Sequence, residues 1–338
     1  SFIMLYEDAG VNISKGDSLV EFIKNRLKSG KENIGPFSAI VELGKVSERY
    51  KDAVLLASTD GIGTKIKLAI DWDYLSGLGY DILGMCVNDI AVHGAEPIMF
   101  LDYFAMGNLD LEVARKVMDS VVKACEEYDC PLVGGETAEL PGLLREKEFD
   151  IAGFIVGVQE KSKISSPSMV APGDILFGLP SSGIHSNGFT LVRKIIEVAH
   201  ITPYTLIGKW KALDLILAPT KIYWKIAHSL YDRFKLHGAA HITGGGIPGN
   251  LTRCLPRNID ATIDPQSWEI PEVFRFLQEL GDVPNDEMWR VFNMGIGFIF
   301  IVGKQDAGEF EDFLAQLCEP YYIIGECKEG SGRVIIKS

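Results

Sequence analysis

The chain has 338 residues, of which 47% are apolar and 23% charged, with a formal net charge of −13, and this length suits two domains of ordinary size. The acidic balance argues against a nucleic-acid partner, which requires an excess of lysine and arginine on one face. No uncharged apolar run reaches the length of a membrane span and no signal-peptide pattern is visible, so neither a membrane partner nor secretion is expected.

Apolar periodicity predicts alternating helices and strands through the first half of the chain. Helices are expected at 17–27, 80–95 and 110–128, and strands at 39–43, 53–57, 98–105, 131–133 and 151–158. A stretch rich in serine, proline and lysine at 160–173 is typical of a linker. We therefore expect two domains, at 1–165 and 166–338.

The second half repeats this mixture of elements. Strands are expected at 174–179, 259–263, 292–299 and 323–324, and helices at 191–198, 250–255, 273–280 and 307–317. The predicted fold class is α+β, with two α/β halves. Six cysteines without a CxxC pair indicate reduced thiols in a cytoplasmic protein.

An acid, two glycines, a hydroxyl and a lysine follow the predicted strand at 53–57. They are Asp60, Gly61, Gly63, Thr64 and Lys65. Glycines let backbone N–H groups approach an anion closely, so the run suggests a site for a metal-bound phosphate. A simple strand-to-turn connection uses the same residue types and stays open as the alternative.

Asp89 interrupts a predicted helix that is apolar nearly all round. Helical spacing puts it on one stripe with Ile82, Cys86 and His93. We therefore expect Asp89 to be largely buried. Because burying an unpaired charge is costly, we also expect a cationic group beside it.

Glu136 and Glu139 come after a short predicted strand and the pair Gly134 and Gly135. Three carboxylates, from Asp60, Asp89 and Glu136, would suit Mg²⁺ bridging nucleotide phosphates if they converged on one cleft. The alternative is a set of unrelated surface acids, and for Glu139 it is the favoured interpretation.

Two loops in the second half combine small residues with predicted helix starts. The first contains Ser181, Ser182, Gly183, His185, Ser186 and Asn187, and the second contains Thr243, Gly244 and Gly245. Both are candidate anion sites at helix N-termini. A serine-capped helix start is the alternative for the first loop, but it needs only one of these residues, so the anion site is favoured there. The second loop can simply turn a strand into a helix. A GxGxxG match in the second loop does not indicate a dinucleotide fold, because the helix after it is too short.

Five runs, taken in order, resemble the aminoimidazole ribonucleotide synthetase family. They are 59–65, 88–97, 134–142, 181–188 and 241–246. The resemblance implies a homodimer in which the N-terminal halves contribute strands to a shared β-barrel, while each C-terminal half forms a second mixed sheet covered by helices. It also implies the reaction of ATP with formylglycinamidine ribonucleotide to give aminoimidazole ribonucleotide, ADP and phosphate, through a phosphorylated formyl oxygen, in purine biosynthesis.

On this resemblance, the first domain binds ATP and Mg²⁺ and the second completes the cleft. The implied metal ligands are Asp60, Asp89 and Glu136, and the implied catalytic residues are Asp89, His185 and Lys65. Gly61, Gly63, Thr64 and Lys65 would surround the nucleotide phosphates, and the loops at 181–188 and 243–246 would hold the ribose phosphate or the transferred phosphoryl group.

Some points stay open at this level. His241 is either a weaker catalytic candidate or an ordinary core histidine. Residues 35–37, Gly35, Pro36 and Phe37, stand where the family has a glycine-rich run, so a nucleotide role there is in doubt. The competing functions are another ATP-dependent member of the wider superfamily and a catalytically silent nucleotide-binding module.

Overall fold

Two mixed β-sheets, one in each half of the chain, form the frame of the protein. The computed structural model describes residues 6–29, 31–35 and 37–338. The strands are β1 Ala53–Gly61, β2 Glu96–Met106, β3 Leu132–Glu139, β4 Phe149–Glu160, β5 Ile175–Pro180, β6 Leu206–Ile207, β7 Trp210–Lys211, β8 Gly238–His241, β9 Ile259–Ile263, β10 Ile296–Val302, β11 Tyr322–Glu329 and β12 Val334–Ile336.

Helices cover these sheets. They are α1 Ile13–Arg26, α2 Leu43–Ser47, α3 Lys65–Asp71, α4 Leu78–Ala91, α5 Leu111–Glu127, α6 Phe189–Ala199, α7 Ala212–Ile216, α8 Trp224–Arg233, α9 Gly246–Leu251, α10 Glu272–Gly281, α11 Asn285–Val291 and α12 Ala307–Gln316. None of the helices in the described ranges is both long and apolar enough to cross a membrane.

The first sheet has the strand order β1-β4-β2-β3. β4 pairs antiparallel with β1 and β2, whereas β2 and β3 are parallel, because α5 carries the chain back between them. α4 packs on one face of this sheet. On the other face the side chains of Leu55, Tyr103 and Phe154 are exposed.

The second sheet has the order β12-β9-β11-β5-β10-β8. Every residue of β10 is buried, as expected for a central strand covered on both faces. α4 also contacts the second half, because Asn88 donates to the carbonyl of Lys221 and accepts from the amide of Tyr223. This helix is therefore the main packing element between the two halves.

The prediction of two halves with mixed sheets and helices is confirmed. The predicted strand at 39–43 is wrong, since Ala39 forms only an isolated bridge with Ile34 and α2 begins at Leu43. β1 and β3 run further than predicted, to Gly61 and Glu139, because main-chain pairing with β4 and β2 extends them through glycines that local propensity would place in turns.

Candidate active site

Asp89 joins the two halves through its carboxylate. Oδ2 accepts a hydrogen bond of 2.7 Å from Oγ of Ser58 in β1, and Oδ1 lies 2.9 Å from Nδ1 of His241 at the end of β8. Burial works to raise the pKa of Asp89, but the hydrogen bonds from His241 and Ser58 outweigh it and the pKa is lowered. Asp89 is therefore an oriented carboxylate.

The expectation that Asp89 is largely buried is only partly met. Its side chain is 38% exposed, whereas that of His241 is 3% exposed. α4 turns this position toward a cavity between the halves, and the predicted positive partner is an imidazole.

Asp60 lies on the same face of the first sheet as Ser58, two positions away in β1, where side chains alternate. Burial raises its pKa, the amide of Gly61 opposes that effect, and the nearby charge of Asp89 raises the pKa further. The negative charge of Asp89 therefore lies close enough to Asp60 to disfavour its ionised form, and a cation near both acids would relieve this effect.

A cavity of about 690 Å³ opens beside Asp89, and we call it the Asp89 cavity. Its polar lining includes Ser58, His93, Ser165, His237, His241 and Arg253. Arg253 was not singled out from the sequence, because one arginine in a short turn carries no local signal. Its positive charge contributes to the lowered pKa of Asp89.

Glu136 does not join Asp60 and Asp89 within the chain. It lies in the middle of β3, in register with Tyr103, whereas Asp60 is aligned with Gly153, Asp102 and Gly135. Because neighbouring rows point to opposite sides of a sheet, Glu136 and Asp60 face opposite ways.

Glu136 on β3 and Asp60 on β1 are also three strand spacings apart, which is about 14 Å at roughly 4.8 Å per spacing. In the described part of the chain, no cluster of three or more histidine, cysteine, aspartate or glutamate side chains could hold a metal ion. The predicted three-acid ligand set is therefore wrong for a single chain. Glu139 instead accepts hydrogen bonds from the amides of Asn12 and Leu109.

Lys65 is not placed at the cleft. Its side chain is 1% exposed, and Nζ donates to Oδ1 of Asp81 at 2.9 Å and to the carbonyls of His185 at 2.7 Å and Ala218 at 2.9 Å. An ammonium has three protons, and all three are used. The expected contact with nucleotide phosphates does not fit this geometry.

His185 is likewise enclosed. Its ring Nε2 accepts from the amides of Ser182 at 3.1 Å and Lys221 at 3.4 Å. Burial, helped by neighbouring positive charges, holds its pKa well below the ordinary value. A neutral ring that accepts through Nε2 shapes the loop around it, so the expected role of acid at the reacting centre does not fit.

The predicted phosphate loops do meet each other, but their hydroxyls are largely engaged. Those of Ser181, Ser182, Ser186 and Thr243 bond to Asn293, Pro219, Asp81 and Asn250 respectively. Oδ1 of Asn187 lies 3.6 Å from the position that a Cβ on Gly244 would take. What the loops offer a ligand is therefore mostly backbone N–H and the amide of Asn187.

A second cavity, of about 660 Å³, lies at the start of α6, and we call it the α6 cavity. Gly63 and Thr64 line it from the first half, and Ser186, Asn187 and Lys194 from the second. Oγ1 of Thr64 is 3.0 Å from that of Thr190. A helix N-terminus with a lysine nearby favours anions, so this cavity suits phosphate.

Two further residues organise these loops without a local sequence signal. Asp81, which is fully buried, accepts from Lys65 and Thr220. Asn293 accepts from Ser181 and donates to the carbonyl of Gly183. The segment 35–37 includes Pro36, which lies outside the described residues.

Comparison with known proteins gives the chain its family. Residues 39–159 match the N-terminal domain, and residues 171–337 the C-terminal domain, of AIR synthase related protein. A phosphoribosylformylglycinamidine cyclo-ligase of Neisseria meningitidis is 46% identical over 97% of this chain and 96% of the relative. One of Thermoanaerobacter pseudethanolicus is 45% identical over 98% and 100%.

A solved structure shares the fold at much lower identity. The hydrogenase maturation protein HypE in complex with ATP has a TM-score of 0.71 and 17% identity, covering 99% of this chain and 94% of that one. At this identity the likeness concerns the fold alone. The two matched domains and the near-full-length relatives show that the chain belongs to the AIR synthase related family and, within it, to the phosphoribosylformylglycinamidine cyclo-ligases, which are ligases.

Proposed function

We propose that this protein closes the imidazole ring of aminoimidazole ribonucleotide from formylglycinamidine ribonucleotide, with conversion of ATP to ADP and phosphate, in cytoplasmic purine biosynthesis. The observation that carries this proposal is the 46% identity to a named cyclo-ligase over 97% of the chain. The paired carboxylates and the phosphate-favouring α6 cavity supply suitable chemistry.

Phosphate groups of the nucleotide or the substrate would lie at the α6 cavity. Gly63 has a φ of +74° and open space where a Cβ would stand, so its backbone can approach a ligand closely. Gly188 caps α6 in a left-handed conformation, and among the described residues no side chain caps that helix. Its first N–H groups are therefore directed at the cavity.

Asp60 and Asp89 fit a magnesium ion as a pair. Mg²⁺ is usually bound by one or two carboxylates together with substrate phosphates and waters. Burial and then the charge of Asp89 raise the pKa of Asp60, and a cation between the two acids would favour both ionised forms. With ATP bound, Mg²⁺ would neutralise phosphate charge.

The chemistry requires two displacements in one place. The formyl oxygen attacks the γ-phosphorus and ADP leaves, after which an amidine-side nitrogen attacks the formyl carbon. Phosphate then departs with the former formyl oxygen, and the nitrogen loses a proton. Residues of the two halves contribute by orienting the reactants and excluding water. Asp89 is the proposed catalytic residue, whereas Lys65 and His185 act behind the cleft.

A homodimer is part of this proposal. Within the described ranges, β1 and β3 each have one unpaired edge, and Leu55, Tyr103 and Phe154 expose apolar surface on the outer face of the same sheet. Unpaired edges and an apolar face favour joining with a second copy. The 1–165 domain would then bind Mg-ATP and dimerise, and the 166–338 domain would complete each cleft.

The test is turnover with formylglycinamidine ribonucleotide as the sole acceptor. We expect ADP, phosphate and aminoimidazole ribonucleotide in equal amounts, and with oxygen-18 in the formyl group the label should appear in the released phosphate. Thiamine monophosphate serves as the control acceptor and should not stimulate ATP consumption. A protein that hydrolyses no ATP when given this substrate and Mg²⁺ would contradict the proposal.

A further inference from the structure

The buried ion pair between Lys65 and Asp81 links the two halves behind the loop at 181–188. Lys65, at the start of α3, reaches two carbonyls of the second half, those of His185 and Ala218. Asp81, in the first turn of α4, receives the amide of Thr220 at 2.9 Å and its hydroxyl at 2.8 Å. It also receives the hydroxyl of Ser186 at 3.2 Å. The pair thus contacts the second half at two segments, the loop at 181–188 and residues 218–220.

Oδ1 of Asp81 accepts from Nζ of Lys65 at 2.9 Å and from the amide and the hydroxyl of Thr220. Oγ of Ser186 lies 3.2 Å from this oxygen and 2.9 Å from Oγ1 of Thr220. Oδ2 is buried and has no partner among the described residues. Each hydrogen bond has a preferred direction, so the shared oxygen ties Ser186 and Thr220 to one point of α4. An apolar pair of similar volume would fill the space but would impose no direction.

The loop at 181–188 has a strained backbone at His185, where Lys65 binds it. His185, whose carbonyl binds Lys65, has a φ of +63°, and a non-glycine residue in this region needs surrounding structure to keep it there. Its ring accepts two backbone amides. The loop conformation therefore depends on contacts that lie outside the loop.

We propose that Lys65 and Asp81 are positioning residues, whose buried pair fixes the loop at 181–188 relative to Asp60 and Asp89. Buried ion pairs often add no more stability than well-packed apolar groups, and what they can add is a unique arrangement. The inference rests on the proposed function, because it takes this loop as the one that faces phosphate.

The experiment separates positioning from stability by replacing the pair as a whole. Lys65→Met alone leaves Asp81 buried and unpaired, so we expect Tm to fall by more than about 10 °C. The double variant Lys65→Met with Asp81→Leu removes both charges but leaves the amide of Thr220 and the carbonyls of His185 and Ala218 without these partners. Its Tm should therefore lie above that of Lys65→Met and below that of the wild type. Its kcat/KM for phosphate release should still be reduced on the order of 100-fold, because the loop is misplaced.

Lys67→Met is the matched control. Lys67 lies on the same helix and pairs with Asp71, but both side chains are substantially exposed, at 39% and 49%. Turnover and Tm should both remain near the wild-type values in this variant. A double variant that recovers both Tm and turnover, within about threefold, would overturn the proposal.

Hydrogen–deuterium exchange gives a readout that is independent of catalysis. In the double variant, peptides covering 181–188 and 218–221 should exchange faster, while those covering 53–61 stay unchanged. If the wild type fails to use formylglycinamidine ribonucleotide, the proposed function fails, but this comparison still tests the positioning. Unchanged exchange in both loop peptides would count against it.

Thr220→Val decides the question if the double variant does not fold. This change removes one hydroxyl donor to Asp81 while keeping the volume and the amide. We expect kcat to fall about fivefold to tenfold with Tm shifted by less than about 3 °C. An unchanged kcat would then overturn the proposal.

Discussion

Oδ1 of Asp89 lies 2.9 Å from Nδ1 of His241, and this contact joins a helix of the first half to a strand end of the second. Ser58 holds the other carboxylate oxygen at 2.7 Å. Both oxygens are therefore oriented, and the carboxylate faces a cavity. The position is suited to a charged group that acts on a ligand between the halves.

Replacing Asp89 by asparagine should remove the charge while keeping the shape. The amide nitrogen would then meet a donor from Ser58 or His241, so the orientation is lost as well. We expect kcat to fall by about 10² to 10³-fold, with Tm within a few degrees of the wild type. Phosphate-release kinetics and thermal denaturation check this.

Asp71→Asn is the control, because Asp71 forms only an exposed pair with Lys67 on α3. It should leave kcat unchanged. Near-normal turnover in the Asp89 variant would remove this residue from the mechanism.

Asp102 predicts a pH dependence of stability. Burial raises its pKa to about 7, above the value near 4 that an unfolded chain gives. The folded protein thus holds a proton that the unfolded chain releases between these values, so the group makes stability fall as the pH rises from about 4 to about 7. Above about pH 7 the buried carboxylate is ionised in the folded protein, so the full loss of stability remains.

Asp102→Asn should therefore raise the free energy of unfolding at pH 8, by a few kcal/mol at most, and should change it little at pH 4. The shape is nearly the same, which matters because Oδ1 of Asp102 is 2.2 Å from where a Cβ on Gly135 would stand. Denaturant unfolding at the two pH values measures the difference. An equal change at both would contradict the assigned pKa.

Gly79→Ala should destabilise the contact between α4 and α5. A Cβ at Gly79 would lie 2.1 Å from the backbone carbon of Ser120, so the two helices must separate. We expect the free energy of unfolding to fall by about 3 kcal/mol. Gly16→Ala in α1 is the matched change, since nothing lies within 4 Å of its Cβ position.

In Gly16→Ala the free energy of unfolding should rise by about 0.5–1 kcal/mol, from helix propensity alone. Chemical denaturation of both proteins measures the two effects. A Gly79 variant as stable as the wild type would show that α4 and α5 can adjust at no cost.

Leu55→Lys tests the homodimer. The Leu55 side chain is 63% exposed on the outer face of the first sheet, and a lysine there would place a charge in the proposed shared barrel. We expect light scattering after size exclusion to give twice the 37.2 kDa chain mass for the wild type and a single chain mass for the variant. Leu317→Lys, at a 44% exposed position of the second half, should remain a dimer. A wild-type monomer would contradict the proposal.

The sequence by itself predicted most of the longer helices and strands in their order, but not α3, α8 or α11. Apolar periodicity predicted α4, α5 and β4 because helix and strand patterns depend on neighbours a few residues apart. The residue pattern also singled out Asp60 beside glycines at a strand end and Asp89 in an apolar helix, and in the structure the charge of Asp89 affects the pKa of Asp60.

Tertiary structure alone decided which side chains meet. Glu136 faces away from Asp60 because one position along a paired strand reverses the face, and β3 extends through the glycines that suggested a loop. Asp81 and His241 find their partners across 139 and 152 residues. Such contacts follow from how the two halves pack, and no local pattern encodes them.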